Sequence, residues 1–198
     1  MVWSHKRKII FIHVPKTGGT SIERTLNLMN GRNGYGVIKH AAFQHFCWNE
    51  FKELLGEDIY NKYFKFSIVR NPYQRIISEY FWCDIPGIGF KSNQSMDDFL
   101  NYAEEIVSKQ NWYETIYHDH FIPQTTYLFD NNDNLMIDKL FRFEKYQEVC
   151  DFLKKKFNTD VVHWHLNNLK FDIELTDEQM KKVQKMYNRD FLLLGYQI

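Results

Sequence analysis

Cysteine, proline and net charge are all in short supply in this chain of 198 residues. The three cysteines, Cys47, Cys83 and Cys150, stand far apart and form no disulfide framework, which suits a reducing compartment. With only four prolines and nine glycines there is no Pro- or Gly-rich linker. Basic and acidic residues balance at 25 each, so a general polyanion-binding face of the kind nucleic acid requires is excluded, while a local basic cleft is not. No apolar run approaches the roughly 20 residues of a membrane-spanning helix, and no secretory leader is evident, so a cytoplasmic location is expected. Apolar residues make up 44% and aromatic residues 17%, which excludes a disordered chain. Length and the absence of repeats predict one domain over residues 1–198.

Periodicity alternates between strand and helix, the signature of an α/β fold with a mainly parallel central sheet flanked by helices. Ile9 to Val14, Phe64 to Val69 and Leu140 to Phe143 read as strands. A helix is expected over roughly Gly19 to Met29. Another carries the stripe Phe43, Cys47, Phe51 and Leu54 and ends at Gly56. Ser95 caps a helix striped by Met96, Phe99, Ala103 and Ile106. Tyr146, Val149, Leu153 and Phe157 stripe a later one, with Lys154-Lys155-Lys156 as a solvated end favoured by the helix dipole. Thr176 and Gln179 form a capping box for a last helix whose inner face is Met180, Val183, Tyr187, Phe191 and Leu194.

The first strand runs straight into Pro15-Lys16-Thr17-Gly18-Gly19-Thr20-Ser21. A strand, a glycine turn and a helix start together make an anion cradle, because backbone N–H groups and the positive helix end converge there. Lys16 adds a full charge, and the Thr20 and Ser21 hydroxyls can donate to the same oxygens. The lysine precedes the glycines, which is the reverse of the triphosphate loop G-x-x-x-x-G-K-[ST] and argues against a small kinase. After the second strand comes Arg70-Asn71-Pro72-Tyr73-Gln74-Arg75-Ile76-Ile77-Ser78-Glu79-Tyr80. Asn71 suits an N-cap and Pro72 the first helical turn, leaving Arg70 at a carboxyl strand edge, where open sheets place ligands. Ser78 shares a helix face with Arg75. Two such units point to a ligand with two separate charged groups.

The pair P-K-T-G-G-T-S and R-N-P-x-x-R-x-x-S-x-Y resembles the donor-binding signatures of sulfotransferases that use 3′-phosphoadenosine 5′-phosphosulfate (PAPS). The likeness is to the carbohydrate-type branch, including the heparan sulfate 2-O-sulfotransferase group. It continues more thinly through Lys39 to Phe43, His120 to Leu128, and Tyr187 to Phe191 with Gly195-Tyr196. The resemblance implies a P-loop-like domain. It assigns Lys16, Thr17, Gly18, Gly19, Thr20 and Ser21 to the 5′-phosphosulfate, and Arg70 and Ser78 to the 3′-phosphate. Lys16 would also be catalytic, acting on the transferring group and the bridging oxygen. A hydroxyl-bearing small molecule or glycan would be the acceptor, with neither nucleic acid nor membrane as partner.

His40, in a segment resembling the family's G-H-x-A-F, is the candidate general base, with Lys39 standing where the family often has glycine; a pKa near 6.5 suits proton removal at neutral pH. Glu50, Glu53 and Glu79 remain alternatives, since other branches use glutamate. A non-catalytic module that kept the donor cradle is the remaining reading, and it differs only in the base. Trp164, in Trp164-His165-Leu166-Asn167-Asn168, resembles a loop that closes over the nucleotide and can stack on adenine. His118-Asp119-His120 and His163-Trp164-His165 look like metal ligands but lack cysteines or further ligands at set spacing, so no metal is expected. His120 to Gln124 is expected to line the acceptor cleft. The stretches 31–36, 84–94 and 111–124 are candidate specificity loops.

Overall fold

The computed structural model describes residues 2–28, 37–38, 41–83, 95–112, 117–161 and 173–198, with the backbone alone at 37–38 and 41–43. Its elements in chain order begin with β1 (Trp3–Ser4), β2 (Ile9–Ile12), α1 (Gly19–Thr25), β3 (Val37–Ile38) and β4 (Ala41–Ala42). Next come α2 (Trp48–Leu55), α3 (Glu57–Lys62), β5 (Phe64–Val69), α4 (Pro72–Cys83), α5 (Met96–Lys109) and α6 (Gln124–Leu128). The last are β6 (Lys139–Arg142), α7 (Tyr146–Phe157), α8 (Asp177–Met186) and α9 (Asn188–Leu194). The main sheet has the order β1-β2-β5-β6. Ile12 pairs with Ser67 and Ile68 with Phe141 in parallel register, while β1 adds an antiparallel edge. The mainly parallel α/β architecture is therefore the one expected, and it fits a P-loop-like fold.

Why β2 and β5 are central follows from their composition. Ile9, Ile10, Phe11 and Ile12 are fully buried, as are Phe66, Ser67 and Ile68, so both faces of these strands are covered by helices. Ser67 tolerates this because its hydroxyl donates to the Ile12 carbonyl at 2.6 Å. A second apolar cluster joins α4, α5, α8 and α9 through Ile76, Phe99, Ala103, Ile106, Val183 and Phe191. Among the described residues no helix is long and apolar enough to cross a membrane.

Several boundaries differ from the sequence reading. The first helix stops at Thr25 rather than reaching Met29: Asn27 takes φ 51, and the Leu28 amide turns back to the Glu23 carbonyl. Before α2, Phe43–His45 is a 3-10 turn, and Cys47 stands at the N-cap with Glu50 reaching back to its amide. Gly56, at φ 80, both ends α2 and starts α3, a helix the periodicity did not reveal. The last helix is not continuous. It breaks at Tyr187, whose backbone turns to φ −118 and ψ 30 and whose hydroxyl donates to the Phe121 carbonyl at 3.2 Å. The caps at Ser95 and Thr176 are formed as their sequences predict, and Asn71 accepts from the Tyr73 amide at 2.9 Å.

Candidate functional site

Parallel pairing brings the carboxyl ends of β2, β5 and β6 to one edge, and each strand exits there into a motif with chemistry. From β2 the chain enters the turn at Pro15, with Lys16 at φ 67 and Gly18 at φ 79 before α1 begins. From β5 it delivers Arg70, and from β6 Phe143 and Tyr146. The two anion motifs of the sequence are directly joined: Arg70 Nη1 donates to the Lys16 carbonyl at 3.2 Å, and Arg75 Nε to the Pro15 carbonyl at 3.3 Å.

The turn is tightly seated. Thr17 is fully buried, and its hydroxyl donates to the Val14 carbonyl at 2.8 Å, so that proton is engaged within the turn. Tyr146 donates to the Gly18 carbonyl at 3.1 Å and accepts from Ser21, while Thr20 is exposed. Gly18, at φ 79, is tightly surrounded, and Gly19 has no room for a side chain. A Cβ on Gly18 would stand 3.1 Å from the Phe143 and Tyr146 rings, and one on Gly19 only 2.1 Å from the His13 ring. Lys16 carries its Nζ 5.1 Å above the Trp82 ring. Burial lowers its pKa to about 8, helped by Arg70 and opposed by the Glu79 carboxylate.

Arg70 lies over the Phe143 ring, 4.4 Å from its centroid. Its peptide is clamped by Gln124, which accepts from the Arg70 amide at 2.9 Å and donates to its carbonyl at 2.8 Å. Burial lowers the Arg70 pKa, against Glu144 and Tyr196, but a guanidinium keeps its charge. Arg75 serves the scaffold: Nη2 donates to the carbonyls of His120 and Ile122 at 2.6 and 3.0 Å. Ser78 is buried on the same helix, one turn on. His120, Phe121, Ile122 and Gln124 are buried too, and the carbonyls of His120 and Ile122 are taken by Arg75.

Behind the turn lies a set of buried imidazole–carboxylate pairs that sequence reading missed. His13 is bonded through Nδ1 to Glu23, which also accepts from Gln44 at 3.0 Å. His45 Nδ1 bonds Asp119 at 2.9 Å, and His120 Nδ1 bonds Glu79 at 2.9 and 3.1 Å. The rings follow one another, His13 to His45 at 5.1 Å and His45 to His120 at 4.8 Å. Burial lowers the His45 pKa to about 4, with His120 and His13 adding to the effect and Asp119 opposing it. Burial works against charge on Glu23, Asp119 and Glu79, yet their imidazole partners hold all three below the usual carboxylate range. Glu23 on the first helix gave no signal that it faces inward.

His45, Asp119 and His120 can offer one ligand atom each within 4.8 Å of one another, the composition of a metal site. His45 Nδ1 bonds Asp119 and His120 Nδ1 bonds Glu79, so carboxylates fix the orientation of both rings. His118, adjacent in sequence, belongs elsewhere: it meets Tyr102 at 2.9 Å and the Asn111 carbonyl at 3.2 Å. His40 and Trp164 lie outside the described residues, as do His163, His165 and the loops 31–36 and 84–94. A concavity of about 380 Å³ lined by Ser4, Lys6, Arg7, Leu26 and Asn27 sits by the C-terminal end of α1, away from the turn.

No curated protein and no solved structure gave a match to the chain. The model of the sulfotransferase family matches residues 1–197, a span that includes both anion motifs and the sheet edge joining them. The chain belongs to the sulfotransferase family, whose members are transferases of sulfuryl groups.

Proposed function

We propose that the protein transfers the sulfuryl group of PAPS to a hydroxyl, that of a carbohydrate. The observation carrying this reading is the contact between Arg70 and the Lys16 carbonyl, which sets two basic motifs side by side at one strand edge. That spacing suits a single nucleotide with charge at both its 3′ and 5′ positions. The Lys16–Ser21 turn holds the 5′-phosphosulfate, Arg70 and Ser78 hold the 3′-phosphate, and Trp164 stacks on the adenine. The acceptor oxygen bonds to sulfur as the bond from sulfur to the 5′-phosphate oxygen breaks. Its proton passes to His40, and adenosine 3′,5′-bisphosphate leaves.

The chain's own contribution is positioning and charge. Lys16 neutralises charge growing on the bridging oxygen. The Arg70 guanidinium lies on the Phe143 ring and donates to the Lys16 carbonyl, so little side-chain freedom is lost when the anion arrives.

Thermal unfolding with two nucleotides tests the donor. Adenosine 3′,5′-bisphosphate at a hundredfold excess over its Kd is expected to stabilise the protein by about 2.7 kcal/mol. Mg-ATP should do far less, and equal shifts from both would refute the assignment. With PAPS and a panel of glycans, His40→Ala is expected to keep the bisphosphate shift and lose about 10²-fold or more in transfer rate. Unchanged transfer would place the base elsewhere.

A further inference from the structure

Lys16 has to be cationic to do the work given to it above, yet it sits where charge is disfavoured. Its Nζ lies over the Trp82 ring. Trp82 in turn stacks on His120, with centroids 4.4 Å apart and planes at 28°. His120 Nδ1 donates to both oxygens of Glu79. The Cys83 thiol donates to the same carboxylate at 3.3 Å. Glu79 is 2% exposed and cannot meet an acceptor in solution, so its charge acts only inside the fold.

A buried carboxylate is unfavourable unless something in the structure uses its charge. The groups facing Lys16 come from three places. Glu79, Trp82 and Cys83 lie on α4, Arg70 follows β5, and His120 belongs to the turn His118–Phe121. Of these, Glu79 supplies the negative charge and Arg70 opposes it. Cys83 is held as a neutral thiol, since burial and Glu79 both raise its pKa.

We propose that Glu79 is the positioning residue of Lys16: its carboxylate fixes the His120 ring that stacks on Trp82, the ring beneath the Lys16 ammonium, and keeps that ammonium charged. The role in turnover rests on the sulfotransferase reading; the role toward Lys16 does not. Glu79 is therefore not the general base that the sequence left open, because its oxygens are committed to His120 and Cys83.

The ligand-free protein, labelled with ¹⁵N at lysine Nζ, gives a direct test. Comparison with Lys16→Arg assigns the Lys16 signal, whose titration midpoint is expected near 8. Glu79→Gln should move that midpoint down by about one pH unit. Glu79→Asp, which keeps the charge on a shorter stem, should move it less and serves if the glutamine variant does not fold. A midpoint unmoved in both variants overturns the proposal, whatever the substrate is. In turnover, the alkaline fall of kcat/KM should follow the same midpoint, lower in Glu79→Gln. In a Lys16→Arg background Glu79→Gln should shift nothing, because arginine stays charged. A limb that ignores the Lys16 midpoint would refute the role in the reaction while leaving the electrostatic pairing intact.

Discussion

A Cβ on Gly19 would stand 2.1 Å from the His13 ring, and that ring has little room to retreat, because Glu23 holds its Nδ1 from inside the fold. Gly19→Ala is therefore expected to lower stability by about 1–3 kcal/mol, the range for overpacking, and to weaken binding of adenosine 3′,5′-bisphosphate. Gly56→Ala is the comparison. Its φ of 80 is strained for alanine, but the new methyl meets nothing within 4 Å, so ligand binding should be unaffected. Calorimetric titration of both variants checks this, and equal loss of binding in the two would argue against the His13 contact as the cause. At this scale the sequence was half legible. Two adjacent glycines after a strand announce a tight turn. That His13 lies under the second of them depends on Glu23 ten residues later, which nothing local distinguishes from a surface acid.

Among the elements, α9 has the least expected role. Its Asp190 is fully buried and accepts from the Gln124 amide, the Thr125 amide and the Thr125 hydroxyl, at 2.8, 2.8 and 2.7 Å. A carboxylate from the end of the chain thus satisfies the first amides of α6, and α6 presents Gln124 to the peptide of Arg70. Asp190→Ala leaves three buried donors without a partner, and a loss of about 3–5 kcal/mol in urea unfolding is expected. Asp190→Asn should recover part of it. A loss below about 1 kcal/mol in the alanine variant would show that α6 does not depend on this carboxylate. The capping boxes at Ser95 and Thr176 were readable because a cap is a short-range pattern. The break at Tyr187 was not, since periodicity continues through it. Its cause is tertiary: Tyr187 bonds Phe121, and Asp190 must turn toward α6.

The molecule as a whole stores its buried charge behind the anion turn, and this sets its response to pH. Folded His45 resists protonation down to about 4, against an ordinary value of 6.5. Between those values the unfolded chain takes up a proton that the folded one refuses, so stability falls on acidification by up to about 1.4 kcal/mol per pH unit. Below about 4.5 the depressed carboxyls of Glu23, Asp119 and Glu79 add to the loss, as each must protonate for the fold to open. Lys16 gives the opposite margin. Its folded value near 8 lies under the ordinary 10.5, so stability rises with pH across that window. Urea unfolding from pH 4 to 10 checks both slopes, and a flat profile from 4 to 6.5 would mean that His45 is not held neutral. The α/β layout and both strand–turn–helix units at the sheet edge were legible from the order of elements, whereas this reservoir was not, because its pairs join residues up to 74 apart. A related long-range feature is the bracing of the Arg70 corner by residues 190–196. Arg142 Nη2 grips the Leu194 carbonyl, Tyr196 donates to Glu144 at 3.1 Å, and Glu144 accepts from the Asn71 amide at 2.6 Å. During synthesis, then, the Arg70 corner cannot be finished until position 196 has emerged from the ribosome, and shorter nascent chains would leave that corner unbraced.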